Sequence, residues 1–114
     1  MTRELTPDER ALVTAMIRQA PANADAVVTS EDRARWMQQV PYLLVTGGCD
    51  CGCPTIYFTD NDTPDNRVWL SAWDDAQQAM LILFLDDGKV SQLEIAPTDD
   101  RHIDLPALAN VDYS

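Results

Sequence analysis

Positive charge is what this sequence has least of. Lys89 is its single lysine, beside seven arginines and against 19 acidic residues, and the net charge is −11. Such a surface repels phosphate backbones, so no direct nucleic-acid binding is expected. Long hydrophobic runs are also missing. The longest, Ala79 to Leu85, is strand-sized, well short of the roughly 18 residues of a membrane span; no membrane partner is expected. The opening Thr2-Arg3-Glu4-Leu5 is charged and leads into no long apolar stretch, so no secretory signal is read and a cytoplasmic location is the expectation. Histidine occurs once, at His102, which leaves no His-x-x-x-His pair and no neighbour in sequence for a catalytic triad. Neither a phosphate-binding glycine loop nor a dinucleotide fingerprint is present.

What remains is ordinary globular material. The 114 residues, 46% apolar and 24% charged, suit one domain with a real core. We divide that single domain, 1–114, into a helical part 6–40, a sheet 42–96 and an irregular tail 97–114. Acidity is uneven along it: residues 1–57 carry 5 basic and 7 acidic groups, residues 58–114 carry 3 and 12. The second half suits a basic partner or simple solubility.

Thr6-Pro7-Asp8-Glu9 is a capping box with proline at the first helical position. Leu12, Val13, Met16, Ile17 and Ala20 then share one face, with Arg10, Thr14 and Arg18 opposite. Pro21 stops the helix, giving 7–20. Ser30-Glu31-Asp32 is a second start signal, and Ala34, Trp36, Met37 and Val40 make a shorter stripe, giving a helix over 31–39 closed by Pro41. Val27-Val28-Thr29 reads either as connector or as a brief strand.

Strand patterns follow at 42–45, 55–59 and 67–73. In the last of these Val68, Leu70 and Ala72 alternate with Trp69 and Trp73. The tryptophans are expected to pack beneath a helix; their exposure would mark a partner surface. Met80 to Leu85 is apolar at every position, as in a central strand covered on both faces. Asp87-Gly88 is a type I′ turn pair that returns Lys89 to Ile95 beside it. The expected fold is α+β: two N-terminal helices packed on a mostly antiparallel sheet of four to five strands.

One segment carries residue types that suggest chemistry. Gly47-Gly48-Cys49-Asp50-Cys51-Gly52-Cys53-Pro54 contains every cysteine and three of the four glycines. Thiolates bind zinc, and with His102 the trio Cys49, Cys51 and Cys53 would complete a four-ligand set. In an extended chain, however, Cys49 and Cys53 lie about 13 Å apart, too far to share one ion. The glycines permit the curl that would bring them together. A redox thiol would need a depressed pKa, and the charge of Asp50 acts the other way. The alternative is a glycine-rich reversal with thiols packed as small fillers. Asp60, Asp62 and Asp65 are reminiscent of a calcium loop, but Pro64, Asp65 and Ser71 stand where that loop needs other residues. Asp74-Asp75, Asp86-Asp87 and Asp99-Asp100 read as turn residues.

The box 47–55, with the later Ile82-Leu83-Phe84-Leu85-Asp86-Asp87-Gly88-Lys89-Val90-Ser91-Gln92-Leu93-Glu94, resembles small actinobacterial proteins that share a G-x-C-x-C-G-C-P segment and a strand–Asp-Gly–strand ending in Leu-Glu. Asp50 departs from that pattern, as does the long loop after Thr59. The resemblance implies a shared fold and no reaction. No catalytic constellation is visible, and two functional readings stand. One is a non-enzymatic interaction domain, of the immunity or inhibitor type, that engages a basic protein. The other is a zinc-binding or thiol-redox module built on Cys49, Cys51 and Cys53. Oligomeric state is not legible.

Overall fold

Both helices form where side chains satisfy their first backbone N–H groups. A computed structural model describes residues 2–48, 54–59, 64–99 and 101–113. Helix α1 spans Pro7–Gln19. At its start the Thr6 hydroxyl accepts from the Glu9 N–H at 3.1 Å, and Thr6 N–H donates back to the Glu9 carboxylate at 2.9 Å. Helix α2 spans Ser30–Gln39 and repeats the device one residue before the expected signal: Thr29 caps it, exchanging bonds of 3.1 and 3.0 Å with Asp32. Val27-Val28-Thr29 is connector, not strand. The two helices are tied where α1 ends, because the Arg33 guanidinium donates to the Ile17 carbonyl at 2.8 Å. A cation there also complements the negative end of the α1 dipole.

The strands are β1 (Arg3–Glu4), β2 (Leu44–Val45), β3 (Gly47–Gly48), β4 (Ile56–Tyr57), β5 (Arg67–Asp74), β6 (Ala79–Asp86), β7 (Lys89–Pro97) and β8 (Val111–Asp112). β1 and β2 form a two-stranded ribbon, and the rest form a six-stranded sheet in the order β3-β4-β7-β6-β5-β8. Every pairing is antiparallel. The α+β class with two helices and an antiparallel sheet is therefore observed. The expected strand count and the expected N-terminal helical block are both corrected: β1 precedes α1, and six strands join the main sheet. β1, β3 and β8 are two residues long, too short to show the period-2 pattern by which strands are read.

The tail, expected to be irregular from 97 to 114, contains a 3-10 turn at Leu108–Asn110 and then β8, which pairs with Trp73 and Asp74. It is strapped down by Gln77, whose side-chain amide donates to the Asp104 carbonyl at 2.9 Å and accepts from the Asp104 N–H at 3.0 Å. Expected strand 42–45 is likewise shorter: Val40–Tyr42 make a 3-10 turn, with Pro41 inside it, before β2 begins.

The hairpin β6–β7 turns through Asp87 and Gly88, whose φ angles of 53° and 83° are those of a type I′ turn. Gly88 supplies the second positive φ without a side-chain clash. Beyond the turn Leu85 pairs with Val90 and Phe84 with Gln92, so Ser91 is an extra residue, a β-bulge in β7. At the outer edge of β5 the segment before α2 is bonded along the strand: Asn23 N–H to the Trp69 carbonyl at 3.0 Å, Trp69 N–H to the Asn23 side chain at 3.1 Å, and Ser71 N–H to the Pro21 carbonyl at 3.1 Å.

One core lies between the helices and one sheet face. Leu12, Val13, Met16 and Ile17 of α1 are fully buried against Leu70, Leu81, Leu83, Leu93 and Ile95. Each such side chain contributes about 1.5–3 kcal/mol relative to exposure. Trp36 and Val40 extend the core beneath α2, and Gln39 rivets that helix to the hairpin by bonds of 2.9 Å to the Gly88 carbonyl and from the Val90 N–H.

Candidate interaction face

Alternation in the three long strands sends half of their side chains away from the helices. On β5 these are Arg67, Trp69, Ser71 and Trp73; on β6 Met80, Ile82, Phe84 and Asp86; on β7 Gln92, Glu94 and Ala96. Cross-strand register groups them into rows: Trp73 with Met80 and Ala96, Ser71 with Ile82 and Glu94, Trp69 with Phe84 and Gln92. Tyr57 of β4 extends the last row beyond Gln92, and Asp112 of β8 extends the first beyond Trp73. None of these apolar side chains belongs to the core, and among the described residues no helix lies over them. Trp69 is 39% exposed and Met80 44%, while Trp73, Ile82 and Phe84 are partly exposed.

Two expectations are corrected here. The tryptophans do not pack beneath a helix, because Val68, Leu70 and Ala72 took the helix-facing side of β5 and strand alternation left Trp69 and Trp73 the other. β6 is central, between β5 and β7, but it is covered on one face only. The three long strands, about 4.8 Å apart and eight or nine residues long, make a strip of roughly 10 by 26 Å between their axes, the scale of the central part of a protein interface.

An ion pair fixes one end of this face. Arg67 binds Asp86 through two bonds of 2.7 and 2.8 Å, and its guanidinium carbon sits 4.6 Å above the Phe84 ring. The bulge residue Ser91 donates its hydroxyl to the same carboxylate at 2.7 Å. Burial pushes the Asp86 carboxyl up, but the hydrogen bonds from Arg67 and Ser91 and the charge of Arg67 outweigh it and hold the group below the usual carboxylate range. Asp86 raises Arg67 in return. A second such pair lies on the helix side, where Arg3 grips Glu9 through two 2.8 Å bonds and holds its carboxyl low. A general acid is made by raising a carboxyl, not lowering it; both pairs are structural.

The acidic doublets act in turns. Asp74 is fully buried, accepting from the Ala76 N–H at 3.0 Å and the Gln77 side chain at 2.8 Å. Asp87 accepts from the Asn66 N–H at 2.9 Å and Asp99 from the Arg101 N–H at 3.1 Å.

Cys49, Cys51 and Cys53, together with Asp50, Asp60, Asp62 and Asp100, lie outside the described residues. His102 is exposed in the tail. Among the described residues no group of three or more His, Cys, Asp or Glu is placed to hold a metal ion. The flanks of the cysteine box are described. Gly47 pairs with Tyr57 and Gly48 with Ile56, so the chain reverses direction between 48 and 56. A Cβ on Gly48 would stand 3.3 Å from the Thr55 carbonyl, an approach that favours glycine. Thr55 is itself clipped to β7, its hydroxyl accepting from the Ile95 N–H at 2.9 Å.

No described helix is long and apolar enough to cross a membrane. Comparison of the chain with protein-family models, with curated proteins and with solved structures found no match.

Proposed function

We propose that this chain is a non-enzymatic interaction domain, of the immunity or inhibitor type, and that the uncovered sheet face is where its partner docks. The observation that carries the reading is the face itself, where Trp69, Trp73, Met80, Ile82 and Phe84 sit together on the side of the sheet away from the helices. Aromatic residues and methionine are the types enriched at the centres of protein interfaces, and a cluster of them left accessible to water marks a docking surface. Charge selects the kind of partner. The face and its margins carry Arg67 against Asp86, Glu94 and Asp112, in a chain of net charge −11. A protein with apolar side chains ringed by lysine and arginine complements that pattern.

The test is capture from lysate on the wild-type chain, on a Trp69→Ser/Trp73→Ser variant and on a Tyr42→Ser control. The reading requires that a basic protein be held by the wild type and the control, lost with the double variant, and released as salt is raised. Equal capture by all three, or capture of no basic protein, overturns it.

A second reading, the zinc-binding or thiol-redox module, draws on one observation: the two flanks of the cysteine box, β3 and β4, pair antiparallel. Elemental analysis of protein prepared without chelators, with a count of reactive thiols, decides it. No metal and three inert thiols would end that reading.

A further inference from the structure

A cleft of about 560 Å³ opens between the end of α2, the 3-10 turn that follows it, β2 and the β6–β7 turn. Its described lining shares no residue with the uncovered sheet face. Its apolar wall is Leu43, Leu44, Phe58 and Val90, with the Tyr42 ring at the margin; Tyr42 is 84% exposed and Leu44 44%. The volume lies within the roughly 300–1,000 Å³ of small-molecule sites.

The charge of this cleft is opposite to that of the molecule. Among the described residues its charged lining groups are Arg35 and Lys89 and none is acidic, although the chain has 19 acidic residues to 8 basic. Lys89 makes no ion pair among the described residues. Arg35 gives one nitrogen to Asp32 at 2.8 Å and keeps its other N–H groups. Carboxylates near the lining are Asp32, Glu4 as the cross-strand partner of Leu44, and Asp86 as that of Lys89, the last held by Arg67 and Ser91. Asp32 is engaged by Arg35, and Glu4 lies on the ribbon outside the lining.

We infer that this cleft binds a small amphipathic anion, an apolar body with a single negatively charged head. The body packs on Leu43, Phe58 and Val90; the head meets Lys89 and Arg35. Gln39, also in the lining, bonds Gly88 and Val90 through its amide, and that rivet ties the hairpin side of the cleft to α2 before any ligand arrives. Preorganisation of this kind lowers the cost of binding. The combination of an apolar wall with cations of one sign discriminates between head groups: a cationic amphiphile of equal chain length would meet Lys89 and Arg35 with like charge.

The experiment is an amide NMR titration of the intact chain with dodecanoate below its micelle concentration, with dodecyltrimethylammonium as the matched opposite. Saturable shifts are expected at Leu43, Phe58, Lys89 and Val90. Lys89→Gln should weaken dodecanoate about tenfold and Arg35→Gln by less, with the remaining resonances unmoved in both variants. The inference is overturned if dodecanoate perturbs the rows of Trp69 and Trp73 instead. It fails equally if the ammonium compound binds as tightly, or if both variants bind as the wild type does.

Discussion

The two faces of the β5–β6–β7 unit both carry large apolar side chains and differ in what lies over them. The inner face presents Leu70, Leu81, Leu83, Leu93 and Ile95, all at most 1% exposed. The outer presents Trp69, Trp73, Met80, Ile82 and Phe84, all accessible in part, and mixes them with Arg67, Ser71, Asp86, Gln92 and Glu94. Cover separates the two further: α1 and α2 close one face, and nothing among the described residues closes the other. Area removed from water stabilises the fold, whereas area left in contact with water is free energy held back for association.

The comparison can be broken by substitution. Leu83→Ala on the inner face should lower unfolding free energy by about 2–5 kcal/mol, because it leaves a cavity beneath α1; urea denaturation measures it. An equal loss from Met80→Ser on the outer face would mean that this face is not open. Asp86→Ala comes next, at about 2–3 kcal/mol. That is less than a fully buried pair, because the Arg67 side chain is 38% exposed. The same group gives a pH dependence. Glu9 and Asp86 are both held low in the folded chain, so their stabilisation is complete above the unfolded values near 4 and lost as pH falls through the folded values. Denaturation midpoints should therefore hold steady down to about pH 5 and drop below about pH 4, and the drop should shrink in Asp86→Ala.

Smaller effects sharpen the contrast. Thr29→Ala removes the α2 cap and should cost about 1 kcal/mol. Met80→Ser should change stability by no more than about 0.5 kcal/mol while weakening partner capture, which separates recognition from folding at a single exposed residue.

Much of the helical part could be read in advance, since Thr6 with Glu9 and the stripe from Leu12 to Ile17 are local signals. The Asp87-Gly88 hairpin was equally legible, because a type I′ turn needs only its own two residues. What could not be read was anything set by distant partners. Trp69 and Trp73 alternate with Val68 and Leu70 whichever set faces inward, and only docking of α1 on the smaller residues decides between them. β1, β3 and β8 exist because another strand runs beside them; two residues carry no period. Asp74 reads as a turn residue and is one, but its full burial depends on the Gln77 side chain and on β8 beside it, which no local pattern shows. The cleft beside Lys89 joins α2, β2, the residues after β4 and the start of β7, from Thr2 to Val90, and no window of sequence contains it.

The bonds from Pro21 and Asn23 to β5 have a consequence for how this chain can associate. A strand with a free edge offers a template on which further copies can stack without limit, and β5, with its aromatic outer side, would be a strong one. Its outer N–H and C=O groups are engaged by Pro21 and Asn23 at Trp69 and Ser71, and by β8 at Trp73 and Asp74. At the opposite margin β3 ends the sheet with two glycines. Growth along the hydrogen-bonding direction is thereby blocked at the aromatic end, and another copy of the chain cannot add a strand along β5 there.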